Sequence, residues 1–154
     1  MKKEEIESTF DTYGYYLEGG DPDFFENPDN LNEIERVALQ GLESGVTARS
    51  LYFLSIVHLL RGEKAKSLDN LKSAAQKGHI SAAINYANQI GLKNIDALGI
   101  LKTYVDAGHD VGQPATDDYK YFMEKLSTEE LSQVDQVSQE LLTAIEQGDG
   151  FVYL

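Results

Sequence analysis

The chain has 154 residues, 13 lysines and arginines against 26 aspartates and glutamates, and no cysteine. That length is one domain's worth of chain, able to bury a core without a disulfide or metal staple. A net charge of −13 argues against nucleic-acid binding, which needs clustered Lys and Arg, and the lack of cysteine removes disulfides, thiolate zinc sites and cysteine nucleophiles.

Apolar spacing follows the helical period and seldom alternates. Residues 2–17 read as a first helix with Ile6, Phe10, Tyr13 and Leu17 on one stripe, stopped by Gly19-Gly20-Asp21-Pro22. Gly19 to Asn30 is an acidic loop with Phe24 and Phe25 held to the core. Asn30 and Glu33 suggest an N-cap with its reciprocal partner. Five helices closed by glycine follow: Asn30–Ser44 before Gly45, Thr47–Arg61 before Gly62, Lys64–Lys77 before Gly78, Ile80–Ile90 before Gly91, and Asn94–Ala107 before Gly108. Such short gaps make antiparallel neighbours. Gln113-Pro114 interrupts, and Thr116–Lys125 reads as a short helix with Tyr119, Phe122 and Met123 inward. Ser127-Thr128-Glu129-Glu130 is a capping box opening a helix to Gln147, with Leu131, Val134, Val137, Leu141, Leu142 and Ile145 as its apolar stripe. Phe151 to Leu154 forms a short apolar tail.

Acidity is concentrated at the two ends. Residues 1–35 carry a net −9, residues 36–109 a net +4 and residues 110–154 a net −8. Solvated helix faces account for such charge; an acidic face that steers a basic partner is the sharper reading. The N-terminus has no apolar stretch of the signal-peptide kind, and the longest apolar run, Leu51 to Leu60, is half a membrane span. The expected setting is the cytoplasm, with no membrane partner.

A repeat lies inside the helical pattern. Gly45, Gly78 and Gly108 are spaced by 33 and 30 residues, preceded at matching positions by Ala38 and Leu42, Leu71 and Ala75, and Leu101 and Val105. That period fits an α/α solenoid, whose helix-turn-helix units bury their faces only on neighbours. The expected fold is all-α, a short right-handed α/α solenoid with an extra N-terminal helix and a C-terminal capping helix, in one domain. Within it, residues 1–30 form the first helix and acidic loop, 31–112 the repeats, 113–147 the closing helices and 148–154 the tail.

The run Ala65, Leu68, Leu71, Ala74, Ala75, Gly78, His79, Ala82, Asn85, Tyr86, Ala87 and Gly91 resembles one Sel-one-like repeat, a relative of the tetratricopeptide repeat. Residues 36–62 look like a poorer copy with Arg49 where alanine is expected, and residues 94–108 like the first helix of a third. The resemblance implies a scaffold that binds other proteins on a concave surface, with no catalytic residues of its own.

Chemistry-bearing patterns are few. His58, His79 and His109 are too far apart in sequence for a helical metal pair. His79 and His109 follow closing glycines and read as capping or surface residues, and His58 as a hydrogen-bonded core residue. The loop from Asp21 fails the EF-hand pattern, with Glu26 at the glycine position and Asn32 where a bidentate glutamate belongs. Asp117-Asp118 and Glu129-Glu130 read as first-turn helix acids rather than an acid–base pair. No phosphate loop or nucleophile elbow is present, and an enzyme would need a site assembled from distant residues. No cofactor, metal or catalytic residue is expected.

Aromatic residues suggest the partner-binding surface. Tyr15 and Tyr121 lie off the apolar stripes of their helices, beside acids, which is the composition of a protein-binding anchor. The candidate binding residues are Tyr15, Asp21, Asp23, Glu26, Asp117, Asp118 and Tyr121. The function expected from them is a non-enzymatic protein-binding module: a small acidic inhibitor, of the bacterial immunity type, that neutralises a basic toxin or nuclease. The alternative is a generic adaptor holding a peptide or protein in its concave groove.

Overall fold

The computed structural model describes residues 1–153 and shows an all-α protein. Its helices are α1 (Lys3–Tyr15), α2 (Pro28–Glu43), α3 (Thr47–Leu60), α4 (Lys64–Gln76), α5 (Ile80–Ile90), α6 (Ile95–Asp106), α7 (Gln113–Glu124) and α8 (Thr128–Gln147). A π-helical turn, Tyr16–Gly20, and a 3-10 turn, Pro22–Glu26, join α1 to α2. The chain divides into two compact units, Met1–Ala74 and Ala75–Tyr153, with the boundary inside α4.

In the first unit α1 buries Ile6, Phe10 and Tyr13, the stripe its spacing predicts, and Leu17 is partly buried. Phe10 stacks on Phe53 of α3 at 4.8 Å, and Tyr13 meets Phe53 edge-on at 5.6 Å. Phe25 is buried, and Phe24 packs on Tyr16 at 4.7 Å, so the acidic loop is anchored by its aromatics. The start of α2 differs from the expected Asn30 cap. Asn27 is the cap, its side chain accepting from the Asp29 amide at 2.9 Å, with Pro28 in the first turn. Pro28 suits that place because its missing N–H would have no intrahelical partner there. Asn30 instead donates to the Phe24 carbonyl at 2.9 Å. Glu33 bonds Arg36, whose hydrogen bond holds its carboxyl below the usual range, and so does not reach back to a cap.

In the second unit α6 and α8 make the most extensive pairing. Their close approach depends on Gly99, where a β-carbon would stand 2.5 Å from Cγ1 of Val137. Val134, Leu141 and Ile145 of α8 are buried, while Leu131, Val137 and Leu142 are half-buried. Asn94 caps α6 by accepting from the Ala97 amide at 3.1 Å. Tyr104 is fully buried on α6 and donates its hydroxyl to the Ala75 carbonyl; burial pushes that hydroxyl's pKa up.

The five closing glycines all carry positive φ, between 79° for Gly62 and 98° for Gly78. Two other expectations are corrected. Pro114 does not interrupt a helix but opens α7, which begins at Gln113, three residues before Thr116. Asp117 and Asp118 therefore fall beyond the first turn of α7. The α8 capping box forms as read: the Glu130 amide donates to Ser127 Oγ at 3.1 Å, and the Ser127 amide to the Glu130 carboxylate at 3.0 Å. After α8 the tail returns onto its own unit. Val152 pairs with His79 in a parallel bridge, its amide donating to the Gly78 carbonyl at 2.8 Å. Leu154 of the expected tail lies outside the described residues.

Candidate functional site

The predicted binding residues fall in both units. In the first, the α1 helix ends at Tyr15 and the chain turns through Gly19 and Gly20, which gives Tyr15 a place against the loop rather than in the core. Its ring packs over Gly20, where a β-carbon would stand 2.2 Å from Tyr15 Cε1. The side chain remains 63% exposed, 6.1 Å from the Tyr16 ring, which in turn rests on Phe24. Tyr15 is thus an exposed aromatic on a partly buried aromatic foundation. Deeper in, burial and the nearby Glu33 carboxylate push the Tyr13 hydroxyl up to about 12.

Asp21, Asp23 and Glu26 are exposed on the adjoining turn. Among the described residues, their carboxylates take no part in an ion pair. Four other acids of the same unit differ. Glu33 pairs with Arg36, Asp11 with Arg49 at 2.7 Å, Glu35 with Arg61 at 2.8 Å, and Glu63 with Lys66 at 3.0 Å. The loop charge therefore stands open beside Tyr15, while Arg36, Arg49, Arg61 and Lys66 are engaged by those other acids.

In the second unit Tyr121 is 55% exposed, edge-on to Phe122 at 5.2 Å, with Lys125 Nζ 4.6 Å over its ring. Asp117 accepts from Gln113 Nε2 at 2.6 Å. Asp118 lines a cleft of about 270 Å³ together with Ile90, Leu92, Lys93, Ala115 and Phe122. Tyr121 is thus covered in part by a cation, and Asp117 is engaged by a neighbour, so this half of the predicted surface is less open than the loop at Tyr15.

The histidines resolve into three local roles. His79 is fully buried and caps α5, its Nδ1 accepting from the Ala82 amide at 3.2 Å. Nδ1 is therefore unprotonated there. His109 does not share that role, because no helix starts beside it. Its Nδ1 meets the Tyr153 hydroxyl at 2.8 Å, and its ring lies 4.3 Å from Phe151. His58 is half-buried at 3.1 Å from Glu63, whose carboxyl the hydrogen bonds from His58 and Lys66 hold below the usual range. Among the described residues, no three histidine or carboxylate side chains converge on a metal-binding position.

A larger cleft, about 450 Å³, was not legible in the sequence. It lies between α6 and α8 and is lined by Lys102, Asp106, Asp135, Gln139, Leu142, Glu146 and, from the tail, Phe151. Lys102 is 19% exposed and pairs with Asp106, with Asp135 at 3.7 Å. The Asp106 hydrogen bond raises the lysine's pKa. A lysine base or nucleophile needs the opposite, an ammonium made unstable by burial or by a like charge. Nearby Tyr119 is pushed up by burial and by the Asp106 carboxylate, which disfavours a phenolate base.

Scans of protein-family models, of curated proteins and of solved structures each return no match for this chain.

Proposed function

We propose that this chain is a non-enzymatic protein-binding module, a small acidic inhibitor of the immunity type that captures and neutralises a basic toxin or nuclease in the cytoplasm. The observation that carries the reading is the open loop charge: Asp21, Asp23 and Glu26 stand without ion-pair partners beside a tyrosine 63% exposed. An exposed aromatic on a rigid base supplies contact area at low entropic cost, and unpaired carboxylates steer a cationic partner and speed its encounter. The experiment is affinity capture from native extract, washed at low and then high salt, followed by assay of the captured protein's activity. A single stoichiometric basic protein, kept through high salt and silenced by the chain, supports the reading. Several partners released together by salt, with no activity silenced, would count against it.

The second reading is a repeat scaffold or adaptor. It is favoured by the burial of Ala74, Ala75 and Ala82, and by the positive φ of Gly78, the small residues that carry the resemblance to a Sel-one-like repeat. Binding mutations that map to the 64–91 stretch, rather than to Tyr15 and the acidic loop, would select it.

A further inference from the structure

We propose that the cleft between α6 and α8 receives an arginine side chain of the basic partner, an inference that rests on the basic-partner reading above. The cleft's volume, about 450 Å³, falls within the range of sites that enclose a small ligand or an anchoring side chain. Its walls divide by chemistry. Leu142 and Phe151 offer apolar surface to the three methylenes, while Asp106, Asp135 and Glu146 set carboxylates on the lining.

The charge balance favours a second cation. Three carboxylates face one ammonium, that of Lys102, which sits with Asp106 and Asp135. Glu146 has no ion-pair partner among the described residues. Lys102 shows that these walls already stabilise a cation carried on an aliphatic chain. Glu146 and Phe151 define the place left for another.

Guanidinium suits that place better than ammonium. It is planar, weakly hydrated and able to lie on an aromatic face while its edge bonds a carboxylate. Phe151 is a fixed wall for such stacking, since Tyr104 meets it edge-on at 5.2 Å and His109 lies 4.3 Å from it. Gln139 adds a carbonyl acceptor to the same lining.

The test is titration of the ¹⁵N-labelled full chain with acetyl-arginine amide, and in parallel with acetyl-citrulline amide, its uncharged isostere. Saturable amide shifts at Lys102, Asp106, Glu146 and Phe151 with arginine and not citrulline are expected. Glu146→Gln should weaken binding about threefold by removing an exposed charge pair. Phe151→Leu, which keeps an apolar wall and removes the ring face, should weaken it about two- to threefold. Lys102→Met should strengthen binding by freeing Asp106 and Asp135, and Lys3→Met, the same charge change on an exposed residue of the first unit, should not. Shifts confined to residues 15–26 would overturn the cleft assignment and leave the basic-partner reading standing. Equal affinity in Glu146→Gln, or no saturable shift with a captured basic partner still in hand, would overturn the cleft assignment alone. Failure of capture is read separately and tells against the basic-partner reading itself.

Discussion

A β-carbon placed on Gly78 would stand 2.3 Å from the carbonyl oxygen of Gly150. Gly78 therefore meets two demands at once. Its φ of 98° lies in the left-handed region, and the returning tail passes directly over it. The hydrogen bonds on either side, Val152 to Gly78 at 2.8 Å and Ile80 to Val152 at 3.0 Å, need that closeness. Gly108 closes α6 with a similar φ of 87° but has open space where its β-carbon would go. Gly108→Ala should cost about 1 kcal/mol, the left-handed strain alone. Gly78→Ala should cost about 3 kcal/mol, because the backbone oxygen cannot simply swing aside. Urea unfolding of both variants separates the two terms, and equal losses would mean that the tail does not dock as described.

The tail's hold is mostly aromatic. Phe151 packs against both Tyr104 and His109, which also touch each other, and Tyr153 closes on the His109 ring at 5.8 Å. Phe151→Ala should cost about 1–2 kcal/mol, the worth of a partly buried aromatic pair with its area. It should also accelerate hydrogen exchange at the amides of Ile80 and Val152 while the Tyr104 hydroxyl bond keeps α6 protected. Unchanged exchange at Val152 would place its protection elsewhere.

Glu130 gives α8 a pH dependence of known sign. The Ser127 amide, and secondarily the Ser127 hydroxyl, holds its carboxyl below the usual range. A carboxyl whose folded pKa is depressed adds stability that is full above its ordinary value, near 4.3, and is lost as pH falls through the depressed one. Melting temperature measured from pH 6 to pH 3 should therefore fall less steeply in Glu130→Gln than in the parent. Ser127→Ala, which removes the other half of the box, should cost about 1 kcal/mol at neutral pH.

Much of the helical order was legible because its signals are local. The closing glycines, the caps at Asn94 and Ser127 and the stripe through Ile6, Phe10 and Tyr13 each act within a turn or two. The starts of α2 and α7, placed at Asn30 and Thr116 from sequence, were misplaced for a related reason. A proline is tolerated in a first turn and forbidden in an interior, and which applies depends on where the preceding cap lies. Arg49, where the resemblance led us to expect alanine, serves α1: it bonds the Glu7 carbonyl and Asp11, and lies 5.6 Å over the Phe10 ring. The exposure of Tyr15 and Tyr121 followed from helical phase. The α6–α8 cleft did not, since Lys102 and Phe151 meet only through long-range packing, and no spacing rule connects them. The open charge of Asp21, Asp23 and Glu26 was likewise invisible, because it depends on which acids Arg36, Arg49 and Arg61 engage.

The most direct test of the acidic-surface account is the association rate of the captured partner as a function of ionic strength, for the parent and for a variant with Asp21, Asp23, Asp117 and Asp118 reversed to lysine. The account predicts an association rate lower by about tenfold at low salt and a much shallower salt dependence in the variant. An unchanged rate with unchanged salt dependence would contradict it.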